Sequence, residues 1–304
     1  MSGDDTPVVL SIVFVNYDSG RFLRRALGSL ASVAPVVPYE AIVVDNASHD
    51  PDAVASACRE SGARLLRLRR NAGYGAAANR GFRLARGRYL AVANPDIRFA
   101  HDALERLIDF MDRAPDVGAA GPQLVYPDGA PQPSARRYPR LRYVLVGRRS
   151  PLVRLFPRYG LGREFLYLEA GSRTEPVPVD AVIGTFMVFR REALESVAGF
   201  DERYFMFAED VDICRRLHEQ GWRVMLVPAA RLEHFYGGVR RRFRRLTEFH
   251  RIKALCRFLG AGRAVPVRAL IVLAGIGYLS LSEAAWLAGL QEHERSWVRG
   301  RAGR

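Results

Sequence analysis

The first hundred residues switch repeatedly between short apolar runs and helically spaced stretches, and this rhythm points to an α/β fold with a parallel sheet. Residues 8–15 are almost continuously apolar, the pattern of a strand covered on both faces. Across residues 21–30, Phe22, Leu23, Ala26, Leu27 and Leu30 share one helical side. The same reading predicts strands at 41–44, 64–68 and 89–93, and helices at 75–85 and 102–111. A further helix begins at Pro51, a favoured first-turn residue, behind Asp50 as its N-cap. With 304 residues the chain has room for one large α/β domain and a small appendage.

Between residues 122 and 178 prolines and arginines crowd together, and the sequence predicts long loops with little regular structure. Order returns as a strand at 181–189, a helix at 191–197, a helix from 209 to 220 that stops at Gly221, and a strand at 222–227. A basic helix is expected over 243–259. Residues 269–282 carry no charge, but the stretch falls short of the ~20 apolar residues that a spanning helix needs. It suits a helix lying on a surface or packed on the one before it.

Formal net charge is +14, and Lys253 is the only lysine, so the positive charge is arginine. Guanidinium pairs with phosphate in a fork that lysine lacks, which suits a phosphorylated substrate, a nucleic acid or an anionic membrane face. Nucleic acid is the weakest of these, because the chain has no helix-turn-helix, no zinc spacing and no aromatic-rich basic strands. Arg240, Arg241, Arg242, Arg244 and Arg245 form a block ahead of the apolar tail, a pairing that fits an anionic leaflet. The acidic start, Met1-Ser2-Gly3-Asp4-Asp5, reads as lacking a signal peptide. Cys58, Cys214 and Cys256 read as small buried hydrophobes in a reducing compartment. The expectation is a cytoplasmic catalytic domain, peripheral on the inner face of the plasma membrane.

Function in an open α/β sheet gathers at the carboxyl ends of its strands. Polar clusters fall there three times: Asn16-Tyr17-Asp18, Asp45-Asn46-Ala47-Ser48-His49-Asp50 and Asn94-Pro95-Asp96. One such cluster is commonly just an N-cap, but three on one rim suit diphosphate handling. An aspartate can accept from ribose hydroxyls or a base N–H, and a second acid can hold Mg²⁺ or Mn²⁺ against phosphate oxygens.

These clusters, with Asn71-Ala72-Gly73 through Asn79-Arg80-Gly81, Gly199-Phe200-Asp201-Glu202, Phe207-Ala208-Glu209-Asp210-Val211-Asp212 and His234-Phe235-Tyr236-Gly237-Gly238, resemble the inverting GT-A glycosyltransferases of family 2, most closely the bacterial rhamnosyltransferase-type branch. In combination and in this order the motifs are specific. The resemblance implies a GT-A-like, Rossmann-type nucleotide-binding sheet flanked by helices over residues 7–240, with a basic and hydrophobic helical tail over 241–304. It implies a dTDP- or UDP-sugar donor, bound by Val15, Asn16, Tyr17, Asp45, Asn46, Asn71, Gly73, Asn79, Asn94 and Asp96. By the same carry-over Asp45 contacts the nucleoside, Asp96 and His234 hold the divalent metal, and Asp210, beside Glu209, is the catalytic base. The acceptor expected is a cell-surface glycan or a polyprenyl-diphosphate-linked one. One departure stands out, for the acidic triplet begins with Asn94, leaving Asp96 as its only carboxylate.

Each assignment has a plainer competitor. Asp210 could merely cap a helix, with Asp212 as a solvent-facing neighbour. His234 could be a hydrogen-bonded strand-end histidine, and Trp222 and Tyr204 read as core residues. The rival function is an NAD(P)-dependent oxidoreductase, since Gly73, Gly75 and Ala78 fit G-x-G-x-x-A between a strand and a helix. That fingerprint normally sits at the first βα turn, whereas here it sits at the third.

Overall fold

The computed structural model describes residues 7–140, 164–167, 173–235, 244–260, 265–267, 269–274 and 277. Strand β1 (Leu10–Asn16) is buried along its whole length, as its unbroken apolar run requires. It pairs in parallel with β2 (Tyr39–Asp45) on one side and β4 (Tyr89–Ala93) on the other, and β3 (Arg64–Arg67) extends the sheet beyond β2. Helices α1 (Gly20–Val33), α2 (Pro51–Ser61) and α3 (Tyr74–Phe82) make the crossovers. The Asp50 side chain accepts from the Ala53 N–H at 3.1 Å, closing α2 at its N-terminus, and Gly62 ends it in the left-handed region.

The second half completes a nine-stranded sheet in the order β3-β2-β1-β4-β10-β6-β11-β5, with β8 (Val177–Pro178) paired to β11. Here β5 is Ile97–Phe99, β6 Val117–Val125, β10 Phe186–Arg190 and β11 Arg223–His234. A two-stranded ribbon joins β7 (Ala135–Arg136) to β9 (Ala181–Val182). One face of the large sheet is covered by α1, α2 and α4 (Ala103–Arg113). The other is covered by α3, α5 (Arg191–Ser196), α6 (Glu209–Glu219) and α7 (Arg244–Gly260). Each fully buried Leu, Ile or Phe contributes roughly 1.5–3 kcal/mol. Those in α4, namely Leu104, Leu107 and Ile108, sit one helical turn apart against the sheet.

Four expectations need correction. The stretch 122–178 is not all loop: β6 runs on through Pro122 beside β11, and β7 and β8 also fall inside it. Pro122 pairs opposite Val227, where β11 bulges before resuming at Arg231, so the missing N–H falls at a break in the ladder. Residues 181–189 form two strands in different sheets, divided at Ile183-Gly184-Thr185. The strand expected at 222–227 continues to His234. Asp212 is buried at 2% exposure and paired with Arg215 and Arg216 at 2.9 and 2.8 Å, so it does not face solvent. Cys58 and Cys214 are buried and Cys256 partly so. No helix among the described residues is long and apolar enough to cross a membrane. Arg240, Arg241 and Arg242 lie outside the described residues, as does residue 278 onward.

This topology makes one rim. Strand β10 runs antiparallel to β4, so its start lies where β4 ends, and the Asn94 N–H donates to the Thr185 carbonyl at 2.8 Å. Strand β11 runs parallel to β6 and brings His234 to the same edge, where the Phe235 N–H donates to the Asp96 carbonyl at 2.9 Å.

Candidate active site

The end of β2 carries Asp45, which is fully buried. Its Oδ1 accepts from the Ser48 N–H at 3.2 Å and from the Ser48 hydroxyl. Ser48 Oγ in turn accepts from Asn16 Nδ2 and the Asp18 N–H, each at 3.0 Å. Asp45 Oδ2 takes no hydrogen bond, and Arg67 Nε lies 3.6 Å from it. Beside it, Asn46 is committed to the following loop. Its Oδ1 accepts from the Ala72 N–H at 2.8 Å, and its Nδ2 donates to Asn71 Oδ1 at 2.9 Å and the Gly73 carbonyl at 3.2 Å. Tyr17 is half-buried next to the His49 ring. Val15 packs in the core with Val13 and Val44. Asn79 is drawn away from the rim: its amide donates to the Phe200 carbonyl and accepts from the Phe200 N–H, both at 2.9 Å.

At the end of β4, Asp96 is 9% exposed and its Oδ1 has no hydrogen bond. His234 Nε2 faces that oxygen at 3.5 Å. A carboxylate oxygen without a donor, opposite an imidazole nitrogen, is a donor set that suits a divalent cation of the Mg²⁺ or Mn²⁺ kind. Among the described residues no group of three or more His, Cys, Asp or Glu could hold a metal. Asn94, in place of an acid, leaves the protein with this pair.

Glu209 and Asp210 open α6 at the same rim. The chain enters that helix through two consecutive left-handed residues, Phe207 (φ 68°) and Ala208 (φ 60°). Such geometry costs about 1–2 kcal/mol per residue and needs packing to hold it. Tyr204 and Ala208, both buried, supply it from the α6 cluster. Asp210 Oδ2 accepts from the Gly184 N–H at 2.9 Å and from Arg136 at 3.2 Å, and Oδ1 accepts from the Val211 N–H at 2.9 Å. Glu209 has no such support: its Oε2 is buried without a hydrogen bond. Burial first and the charge of Asp210 second push its carboxyl up to about 8. Two adjacent buried acids cannot both ionise cheaply. The hydrogen bonds assign the charge to Asp210 and the proton to Glu209.

Tyr74 ties the two halves together. Its hydroxyl donates to the Gly184 carbonyl at 2.7 Å and its N–H to the Phe205 carbonyl at 2.9 Å. Burial first, then the neighbouring carboxyl groups of Glu209, Asp210 and Asp96, hold its phenol well above the ordinary range. Tyr74, Arg136 and Gln132, a neighbour of His234, were not expected from the sequence. Around Tyr74 the sequence drew attention to Gly73, as a donor-binding residue, and to the G-x-G-x-x-A fingerprint, and the other two lie in the segment read as loop.

The profile of glycosyl transferase family 2 matches residues 11–198, and that of glycosyl transferase family group 2 matches 165–257. The chain belongs to glycosyl transferase family 2. Over 239 residues it is 36% identical to the N-acetylglucosaminyl-diphospho-decaprenol L-rhamnosyltransferase of Mycobacterium tuberculosis, covering 74% of this chain and 76% of that protein. It is 29% identical over 191 residues to the rhamnosyltransferase WbbL of Escherichia coli, covering 62% and 67% of the two chains. In structure it is similar to the mannosyltransferase PcManGT of Pyrobaculum calidifontis, solved with GDP-Man and Mn²⁺ (TM-score 0.58, 20% identity, covering 95% of this chain and 78% of that one). The fold is that of the GT-A glycosyltransferases, and the protein is a rhamnosyltransferase-like glycosyltransferase.

The oxidoreductase reading of Gly73, Gly75 and Ala78 is thereby overturned, and the geometry gives the reason. A Cβ on Gly73 would lie 2.5 Å from the Phe205 carbonyl oxygen, and one on Gly75 2.9 Å from Phe200 Cβ. In this glycosyltransferase the glycines admit the 200–205 segment, which leads into α6 and its acids.

Proposed function

We propose that this family 2 enzyme transfers a deoxyhexose of the rhamnose kind from a nucleotide-diphosphate donor to a hydroxyl of a lipid-diphosphate-linked glycan, with inversion at the anomeric carbon. One observation carries the site: among the described residues, the buried side-chain oxygens without a hydrogen bond are Asn16 Oδ1, Asp45 Oδ2, Asp96 Oδ1 and Glu209 Oε2. All four lie at this rim. A buried acceptor left unpaired costs about 1–3 kcal/mol, so such a cluster marks where a ligand's donors belong.

Asn16 and Asp45 would take the nucleoside's hydroxyl and N–H groups. Asp96 and His234 would hold a divalent cation, which when bound supplies positive charge against the diphosphate leaving group. Asp210 accepts the proton of the acceptor hydroxyl as that oxygen forms its bond to the anomeric carbon. The bond to the diphosphate oxygen breaks on the opposite face, and its electron pair leaves with the nucleotide. The rhamnose and lipid-diphosphate assignments are carried from the mycobacterial relative, named for both.

A thermal-shift panel of UDP-, dTDP- and GDP-sugars, with and without Mn²⁺, tests the reading. Stabilisation of about 2.7 kcal/mol is expected from dTDP-rhamnose at a hundredfold excess over Kd, only with metal, and none in Asp96→Ala. Equal shifts with and without Mn²⁺ would remove Asp96 from metal binding.

The enzyme is also placed here on an anionic leaflet. Net charge is +14, the arginine block runs into the first turn of α7, and Val265, Leu270 and Leu273 beyond α7 are 76%, 66% and 63% exposed. Pelleting with acidic liposomes should drop at least several-fold when all five arginines are replaced by glutamine. Unchanged pelleting rules out the block as the anchor.

A further inference from the structure

Gln132 is 5% exposed and has no part in the chemistry above, yet its side chain is fully specified. Its Nε2 donates to the His234 carbonyl at 2.8 Å and to the Val125 carbonyl at 3.3 Å. Turning the amide over would set its oxygen against two carbonyl oxygens, so the orientation has one answer. The main chain of Gln132 is held as firmly. Its N–H donates to the Leu124 carbonyl at 2.8 Å, and its own carbonyl accepts from Gln123 Nε2 at 2.6 Å and Ser134 Oγ at 2.9 Å.

With the amide so oriented, the atom 2.9 Å from His234 Nδ1 is Oε1, which can only accept. The proton must therefore sit on Nδ1. In the neutral imidazole that a divalent cation binds, Nδ1 keeps this proton and the nitrogen turned to Asp96 Oδ1, 3.5 Å away, is Nε2. That oxygen has no hydrogen bond. Gln132 grips the same residue twice, by its carbonyl and by its ring, and so fixes both where the imidazole stands and which nitrogen faces Asp96.

We propose that Gln132 is a positioning residue for the divalent cation, locking His234 in the Nδ1-protonated tautomer with Nε2 turned to Asp96. This rests on the reading of Asp96 and His234 as the metal pair. Outer partners of metal-bound histidines typically contribute 10–100-fold in metal affinity.

The test uses the full chain and two readouts. The first is Mn²⁺ affinity by electron paramagnetic resonance, with Mn²⁺ alone, for wild type, Asp96→Ala, His234→Ala and Gln132→Leu. The second is the tautomer of His234, read from imidazole ¹⁵N shifts in ¹⁵N-histidine-labelled protein and assigned among six histidines by the signal lost in His234→Ala. The expected result is an Nδ1–H signal in wild type that shifts toward the other tautomer in Gln132→Leu, with Mn²⁺ affinity down about 10–100-fold. If Asp96→Ala and His234→Ala bind Mn²⁺ as wild type does, the metal pair itself is wrong and Gln132 falls with it. If those two lose Mn²⁺ while Gln132→Leu keeps it, the metal pair stands and the role of Gln132 is overturned. Should Gln132→Leu fail to fold, the wild-type spectrum decides, because an Nε2–H tautomer there also overturns the proposal.

Discussion

Replacing Asp210 by Asn is expected to lower kcat by roughly 10²–10⁴ while leaving donor affinity nearly unchanged. The amide keeps the size and several hydrogen bonds of the carboxylate but cannot take a proton. Of the adjacent acids Glu209 and Asp210, Asp210 is the one whose charge is supported, by Gly184, Val211 and Arg136. Steady-state kinetics with the donor and a lipid-diphosphate-linked acceptor measures the effect, and more than a tenth of wild-type kcat remaining would move the base elsewhere. Glu209→Gln provides the contrast. Because the folded protein raises the Glu209 carboxyl to about 8, its protonated form stabilises the fold. That contribution is complete below the ordinary glutamate range and is lost as pH rises through the folded value. Wild-type Tm should therefore fall between about pH 5 and pH 9 more steeply than that of Glu209→Gln, which has no proton to release. Parallel Tm curves would mean that Glu209 is ionised in the folded protein.

The second large effect is expected at Gly73. Its φ is +88°, and an added Cβ would meet the Phe205 carbonyl oxygen at 2.5 Å. Gly73→Ala is expected to cost roughly 2–5 kcal/mol, from a backbone (φ 88°, ψ 168°) that is almost exclusive to glycine and the overpacking together. In a domain of this size that lowers Tm by roughly 5–15 °C. Gly62 provides the control, since its φ of +71° is similar but nothing lies within 4 Å of its Cβ position. Gly62→Ala should lose only about 1–2 kcal/mol. Equal losses at the two positions would show that the approach of Phe205 is not what requires glycine at 73.

The parallel half of the sheet was legible because each strand there is a dense apolar run followed at once by its crossover helix. Leu10–Asn16 and Tyr89–Ala93 stand out for that reason. Strand β6, with the sequence VGAAGPQLV, hides behind small residues and a proline. Gly118 and Gly121 are required by the Trp222 and Val182 side chains, neighbours no local pattern reveals. The site divides in the same way. Asp45, Asp96, Asp210 and His234 end or begin regular elements and could be found by position. Arg136 and Gln132 lie among prolines, and their partners Asp210 and His234 are 74 and 102 residues further along the chain. Their roles exist only once β7 pairs with β9 and β11 returns to the rim.

The unpaired oxygens of Asn16, Asp45, Asp96 and Glu209 bear on more than recognition. Each is a gap in the hydrogen-bond inventory of the folded chain, and together they make the ligand-free enzyme less stable than a chain of this size need be. Part of its folding free energy is deferred until a donor arrives. On the proposed function, a nucleotide-sugar that donates to these oxygens is a folding partner as well as a reactant, and its supply would set how much of the enzyme survives in a cell.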